Sequence, residues 1–342
     1  MSESSDRPLR SWLQAWNGGW ESFWFTPRGP QTLAIIRIAC GAMLAYVHIV
    51  WASLIHDFMG VNAWISVDVV RSLHRTDWTL KLVVVYRKST LLWLHQVAAI
   101  IASLLMMVGL LTRYCDPGSL VVDTLMVCHR MTGALFGLDQ VVVMLSMYLM
   151  LSHCGSTLSV DARLRNRYVR TGSILSSYWV NWLFPAATPS IANNVATRLL
   201  QLHLCVIYLF GGLSKMRGEM WFDGSAWYSA VNYEYQSLDI TWIGRWRLLV
   251  ASLTALTIFW ETFYIALVWP RLTRPIVLAT AVLVHGGIAQ QRAGNGYLWH
   301  HYDCGQFGVY RATHVAAFFE CFEFSELLTG GSLGQVESNA AR

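Results

Sequence analysis

Charged residues are scarce in this chain: Asp, Glu, Lys and Arg together make up 13% of its 342 residues, where a soluble globular chain carries about 25%. The shortfall is gathered into long uncharged runs, which argues against soluble, disordered and fibrous classes. Sequence patterns for metal and nucleophile chemistry are missing too. No HExxH, no histidine pair at metal spacing, no GxSxG elbow and no phosphate loop occurs. The seven cysteines, Cys40, Cys115, Cys128, Cys154, Cys205, Cys304 and Cys321, form no CxxC pair and no zinc-finger spacing. Most fall in apolar runs, where a thiol behaves as a small hydrophobe, so no metal and no disulfide framework is expected. The net charge of +5 is modest and the basic residues are scattered between apolar runs, so a nucleic-acid partner has little support. The first ten residues are polar and lack the apolar core and cleavage site of a signal peptide; the first span itself is expected to direct insertion.

What the chain has in abundance is apolar length, with 55% hydrophobic residues. A bilayer core about 30 Å thick takes roughly 20 mostly apolar residues per helix. Runs of that kind occur at 33–55, 91–111, 195–213, 248–269 and from 275 onward. The stretch 119–152 is long enough for two shorter spans broken near Gly137-Leu138-Asp139. Such runs, apolar all round, fit helices better than buried strands, because a helix satisfies its own backbone in lipid. The expected fold is an all-α polytopic membrane helix bundle of about seven spans, in contact with the lipid bilayer. Segments 12–25 and 61–75 mix Trp with polar residues and read as interfacial amphipathic helices. The organisation that follows is a polar and interfacial N-terminus over 1–32, a transmembrane domain over 33–289 and a polar C-terminal segment over 290–342. With the N-terminus cytoplasmic, Arg7, Arg10, Arg28, the four arginines at 163–170, Arg271 and Arg274 lie inside. The opposite side receives Arg71, Arg75, Lys81, Arg87, Lys88, Lys215, Arg217, Arg245 and Arg247, a near balance that leans toward N-inside.

The C-terminal segment departs from this pattern. After residue 289 the chain turns polar and rich in His and Tyr, where the helix begun at 275 should continue. Back-translating 295–311 and reading one base forward gives a mostly apolar stretch that would complete a membrane helix. A reading-frame slip near 289–294 therefore stands beside a genuine polar tail as an explanation.

Ionisable residues inside a span are costly and are functional candidates by default. Arg37 lies early in the first span, Asp123 and Arg130 in the third, and Asp139 at the break. Glu261, His203 and His285 lie within later apolar runs. The structural alternative is mutual pairing, Arg37 or Arg130 with Glu261 or Asp123, locking helix packing, and satisfied core roles for the two histidines. The densest polar group, YLFGGLSKMRGEMWFDGSAWY at 208–228, ends an apolar run with two glycines that permit close helix approach. Lys215 then sits within about a turn of the hydrocarbon boundary, with Arg217 nearby and Trp221 beyond. Desolvation and a neighbouring cation are the means by which an amine becomes a general base. The competing reading is a snorkelling Lys/Arg pair with an aromatic anchor.

Four segments, FTPRGPQTLAIIRIACG at 25–41, GLLTRY at 109–114, STLSVDARLR at 156–165 and the 208–228 segment, resemble the horizontally transferred transmembrane (HTTM) domain family. Its members include the vitamin K-dependent γ-carboxylases. Weaker similarity in FWETFYIALVWPRLTRP and LVHGGIA extends the resemblance to about residue 289, and Gly-x-x-Lys followed by Trp and Gly is its most specific piece. The resemblance implies a quinone-coupled membrane enzyme in which Lys215 is the base that deprotonates reduced vitamin K or a similar quinol. In the carboxylases oxygen then yields a strong base that removes a glutamate γ-proton, so that CO2 can add. Possible cavity or packing partners are Asp139, Arg37, His203, Arg217, Trp221, Glu261 and His285. The carboxylases carry a histidine at the start of the fourth span, where this chain reads Phe136-Gly137-Leu138-Asp139, and their large extramembrane domain has no counterpart here. Two other readings stand beside the enzyme: a non-enzymatic membrane factor for export or maturation of a secreted or membrane peptide, and a degraded gene product.

Overall fold

The computed structural model describes residues 6–53, 55–56, 69, 89–114, 137–171, 177–227 and 241–293. Among them all regular structure is helical, and the one β contact is an isolated bridge between Arg28 and Ser190. Four helices are long and apolar enough to cross a membrane: Gln31–Ser53, Thr90–Val108, Ile191–Lys215 and Arg247–Leu267. Val141–Met150 and Arg274–His285 are shorter apolar helices. The sequence reading placed about seven spans on this chain; the described residues hold four of spanning length. Residues 115–136, 61–68, 70–75 and 294–342, which carry part of the two-span stretch, most of the second interfacial segment and nearly all of the polar C-terminal segment, lie outside the described residues; residues 289–293 of the window for the proposed frame slip continue the helix that begins at Arg274.

The chain divides into two compact units, one of residues 1–135 and 139–200, the other of 136–138 and 201–342. In the first, α1 (Asp6–Phe25) leads into α2 (Gln31–Ser53), which packs on α3 (Ser89–Val108). From its third residue α4 (Gly137–Met150) belongs here too, and α5 (Val160–Thr171), α6 (Ser177–Leu183) and the start of α7 (Ile191–Lys215) follow. Gly41 sets the closeness of α2 and α3. A Cβ there would stand 2.5 Å from the Met107 backbone nitrogen, so only glycine lets the two backbones meet as they do.

The ends of these helices are closed by buried side chains. A helix leaves its last carbonyls without partners, and Arg37, fully buried in α2, supplies donors to those of α3. Its guanidinium bonds the carbonyls of Met106 and of Met107 (3.0 Å), and reaches Leu158 at 2.8 Å and Cys154 at 3.3 Å. Gly109, at φ +73°, ends α3 in the left-handed conformation that glycine adopts without strain, and its missing side chain leaves room for the Arg37 guanidinium. The next turn is held by Asp161, also fully buried. Its carboxylate accepts the Leu111 N–H at 2.8 Å and both the N–H and hydroxyl of Thr112 at 2.9 Å. Buried charges are tolerated where hydrogen bonds replace the lost water, and both of these are so supplied.

A second lock joins α1 to α7. Asn194 Nδ2 donates to the carbonyls of Phe23 and Trp24 at 2.8 Å each, and Arg198 Nε donates to that of Phe23 at 3.2 Å. Asn193 bonds Arg28 and the His153 N–H. The second unit packs the later part of α7 with α8 (Glu219–Phe222), α9 (Arg247–Leu267) and α10 (Arg274–Ala293). Its core joins Cys205, Tyr208, Trp260, Tyr264, Val277, Leu278 and Ala281.

Candidate functional site

The site is built at the end of α7, in the second unit. Gly211 and Gly212 occupy the last turn before Lys215. A Cβ on Gly212 would stand 2.8 Å from the Thr262 backbone nitrogen, whereas one on Gly211 would make ordinary contact, 3.4 Å, with Glu261 Oε2. Glycine at 212 thus brings α7 and α9 into backbone contact. That contact carries Glu261, in the last third of α9, to the lysine.

Lys215 Nζ and Glu261 Oε2 form a 2.5 Å hydrogen-bonded ion pair. The lysine side chain keeps 28% of its exposure and the glutamate 14%, so the amine stands at an opening and the carboxylate behind it. Trp221 closes another side, its ring centroid 5.5 Å from Nζ, within the range in which an indole face attracts a cation. The turn from α7 to α8 places that ring: Gly218 N–H bonds the Lys215 carbonyl at 3.0 Å and Trp221 N–H bonds that of Gly218 at 3.0 Å. Gly224, at φ +78°, follows α8, and Thr254 Oγ1 of α9 donates to its carbonyl at 3.1 Å, pinning the segment. Outside the apolar segments, Asp223 is held below the usual carboxylate range by hydrogen bonds from the Ser225 side chain and backbone.

Two turns back along α7, Tyr208 shares the face of Lys215, since seven residues make about two helical turns. Its hydroxyl and His285 Nε2 of α10 lie 2.8 Å apart. The rings of Tyr264 and Trp260 pack on Tyr208 with centroids at 4.5 and 4.9 Å, and Trp260 Nε1 donates to the Val277 carbonyl at 3.1 Å. Trp260 precedes Glu261, so the aromatic cluster braces the helix segment that presents the carboxylate.

Of the residues singled out from sequence, the structure brings Lys215, Glu261 and Trp221 together. Arg217, two residues past Lys215, is exposed, and His203 is half-buried five residues before Tyr208. His285 belongs to the neighbouring aromatic cluster. The expected pairing of Glu261 with an arginine is corrected: its partner is Lys215, because the glycine pair on α7 allows α9 to approach. Arg37 serves the first unit, where backbone carbonyls hold it. Asp139 lies in the first turn of α4, its side chain outside the described residues, as are Asp123 and Arg130. Sequence reasoning passed over Tyr208, which the seven-residue spacing to Lys215 marks, and Asp161, a buried acid within one of the quoted segments. Among the described residues no group of three His, Cys, Asp or Glu side chains is placed to hold a metal ion. Compared with known protein families, curated proteins and solved structures, the chain matches none.

Proposed function

We propose that this chain is an HTTM-like membrane protein that performs quinol-coupled carboxylation or oxidation, with Lys215 and Glu261 acting together as its proton acceptor. The observation that carries this reading is the 2.5 Å pair at the end of a helix of spanning length, open on the lysine side. The pair fits a reduced quinone. A phenolic hydroxyl needs a basic atom at an accessible position, and a flat ring needs an aromatic wall such as Trp221 beside Nζ. A bound quinol would supply the acidic hydroxyl and the reducing electrons.

The chemistry of the pair follows from its shared proton. As an ion pair, Lys215 is an ammonium and has no lone pair to offer. With that proton moved to Glu261 Oε2, the lysine becomes a neutral amine beside a carboxylic acid, at the same total proton count. A proton accepted from outside then leaves an ammonium beside the acid, and return of the pair to its starting state releases one proton. Two groups this close titrate as a unit. Trp221 orients the amine, and the Tyr208–His285 cluster keeps α9 and α10 in register behind it.

The finer topology belongs to the same proposal: about seven spans, interfacial helices at the boundaries and a cytoplasmic N-terminus. It puts Lys215 on the non-cytoplasmic side, because α7 rises about 1.5 Å per residue and so crosses the bilayer between Ile191 and Lys215. The resemblance of the sequence segments supports the family reading.

Purified protein should carry an extractable quinone, and Lys215→Ala should lose most of it. Quinol-dependent turnover should fall by about 10²–10⁴-fold in Lys215→Ala, the usual weight of a positioned base. Glu261→Gln should fall in the same direction. Wild-type turnover in Lys215→Ala would end this reading. A second reading, a non-enzymatic factor for export or maturation of a secreted peptide, is favoured by Lys215 being already engaged by Glu261, the arrangement of a structural ion pair. It predicts co-purification with a peptide and indifference to Lys215→Ala.

A further inference from the structure

We propose that α1 and α5 form a docking face for anionic lipid headgroups, on the side of the bilayer from which α2 and α7 start. Trp12, Trp16, Trp20 and Trp24 recur every fourth residue along α1. Each step of four advances about 40° around a helix, so the four indoles cover about 120° of its circumference, and Arg10, Gln14 and Glu21 cluster beside that sector. Trp12, Trp16 and Trp20 are more than half exposed, and the first two stack at 5.9 Å. The helix is bolted at its C-terminal end: Asn194 and Arg198 hold the Phe23 and Trp24 carbonyls, and the Arg198 guanidinium lies 4.3 Å over the Phe23 ring.

That bolt fixes the height of α1. Asn194 and Arg198 lie in the first two turns of α7, and α2 begins at Gln31, a few residues past α1. The end of α1 therefore sits where two helices of spanning length begin, and its indoles meet the headgroup layer, the environment that Trp prefers.

The basic half of the face lies at the same end of this unit, tied there through Asp161 to Thr112 and through the His153 N–H to Asn193. Arg163, Arg167 and Arg170 of α5 are exposed. The acidic residue of α5, Asp161, is buried and engaged, so it does not offset them. Val169, next to Arg170 on α5, and Tyr178 on α6 are exposed as well. Arginine interleaved with apolar groups matches an anionic interface, and indoles in a row favour lipid over a soluble polyanion.

The test uses the full chain in neutral detergent and in nanodiscs. Phosphatidylglycerol should raise Tm while phosphatidylcholine does not. Arg163→Gln/Arg167→Gln/Arg170→Gln should lose most of that rise and keep the wild-type Tm in phosphatidylcholine. In fluorotryptophan-labelled protein, the resonances removed by Trp12→Phe, Trp16→Phe and Trp20→Phe should be those broadened by a nitroxide at the lipid headgroup. An unchanged rise in the arginine variant, an equal rise with heparin, or the absence of broadening at those three indoles would each overturn the proposal.

Discussion

Arg37 and Asp161 show how single buried charges decide the local architecture of the first unit. Each is satisfied largely by backbone groups: carbonyls at the end of α3 and at 154 and 158 for the arginine, N–H groups of 111 and 112 for the aspartate. Removing one partner strands the others without water, at about 1–3 kcal/mol per unsatisfied group. Arg37→Met is therefore expected to destabilise by about 3–5 kcal/mol, and Asp161→Asn by about 2 kcal/mol, both read as loss of Tm in detergent. Arg37→Lys should recover little, because an ammonium cannot span carbonyls spread as widely as those of 107, 154 and 158. His153, outside the apolar segments, gives a pH signature. Burial, and then the Arg113 charge, hold its imidazole below the ordinary 6.5. Its neutral form is the one the fold keeps, so stability is complete above about pH 6.5 and declines as pH falls toward the lowered value. His153→Gln should flatten that decline in a Tm-against-pH series.

Among the helices, the glycines separate close contact from mere flexibility. Gly41 and Gly212 face backbone atoms of a neighbouring helix, so Gly41→Ala and Gly212→Ala must push α3 or α9 away. Gly211→Ala adds a methyl group in ordinary contact and should be tolerated. Gly18 and Gly19 in α1 have nothing within 4 Å of a Cβ. Alanine at either should raise helix stability by about 1 kcal/mol. Thermal melts of the five single variants would check the order: two lowered, one unchanged, two equal or raised. The same glycine pair explains the site, since Gly212 brings α9 in and Gly211 leaves room for the Lys215–Glu261 bond.

For the molecule as a whole, four helices of spanning length predict that the protein stays in the membrane fraction through alkaline carbonate extraction. Under the proposed topology an N-terminal tag should be reached only after permeabilisation, while a label near 219 should be reached from outside intact cells. Release by carbonate would remove the membrane reading altogether, and tag and label on one side would remove the orientation.

Helical class and the positions of four runs of spanning length were legible from residue order, because lipid demands about 20 apolar residues in a row and a run is a local property. The position of Lys215 at the end of α7 was legible for the same reason: a cation closing an apolar stretch marks its own place. Partnership was not legible. Glu261 lies 46 residues from Lys215, and Arg37 is 121 from the Leu158 carbonyl it bonds. Which acid meets which base depends on where two glycines let helices touch, and which charge can be buried depends on carbonyls left over at helix ends. Both are settled by packing across the fold, which composition and spacing along the chain do not encode.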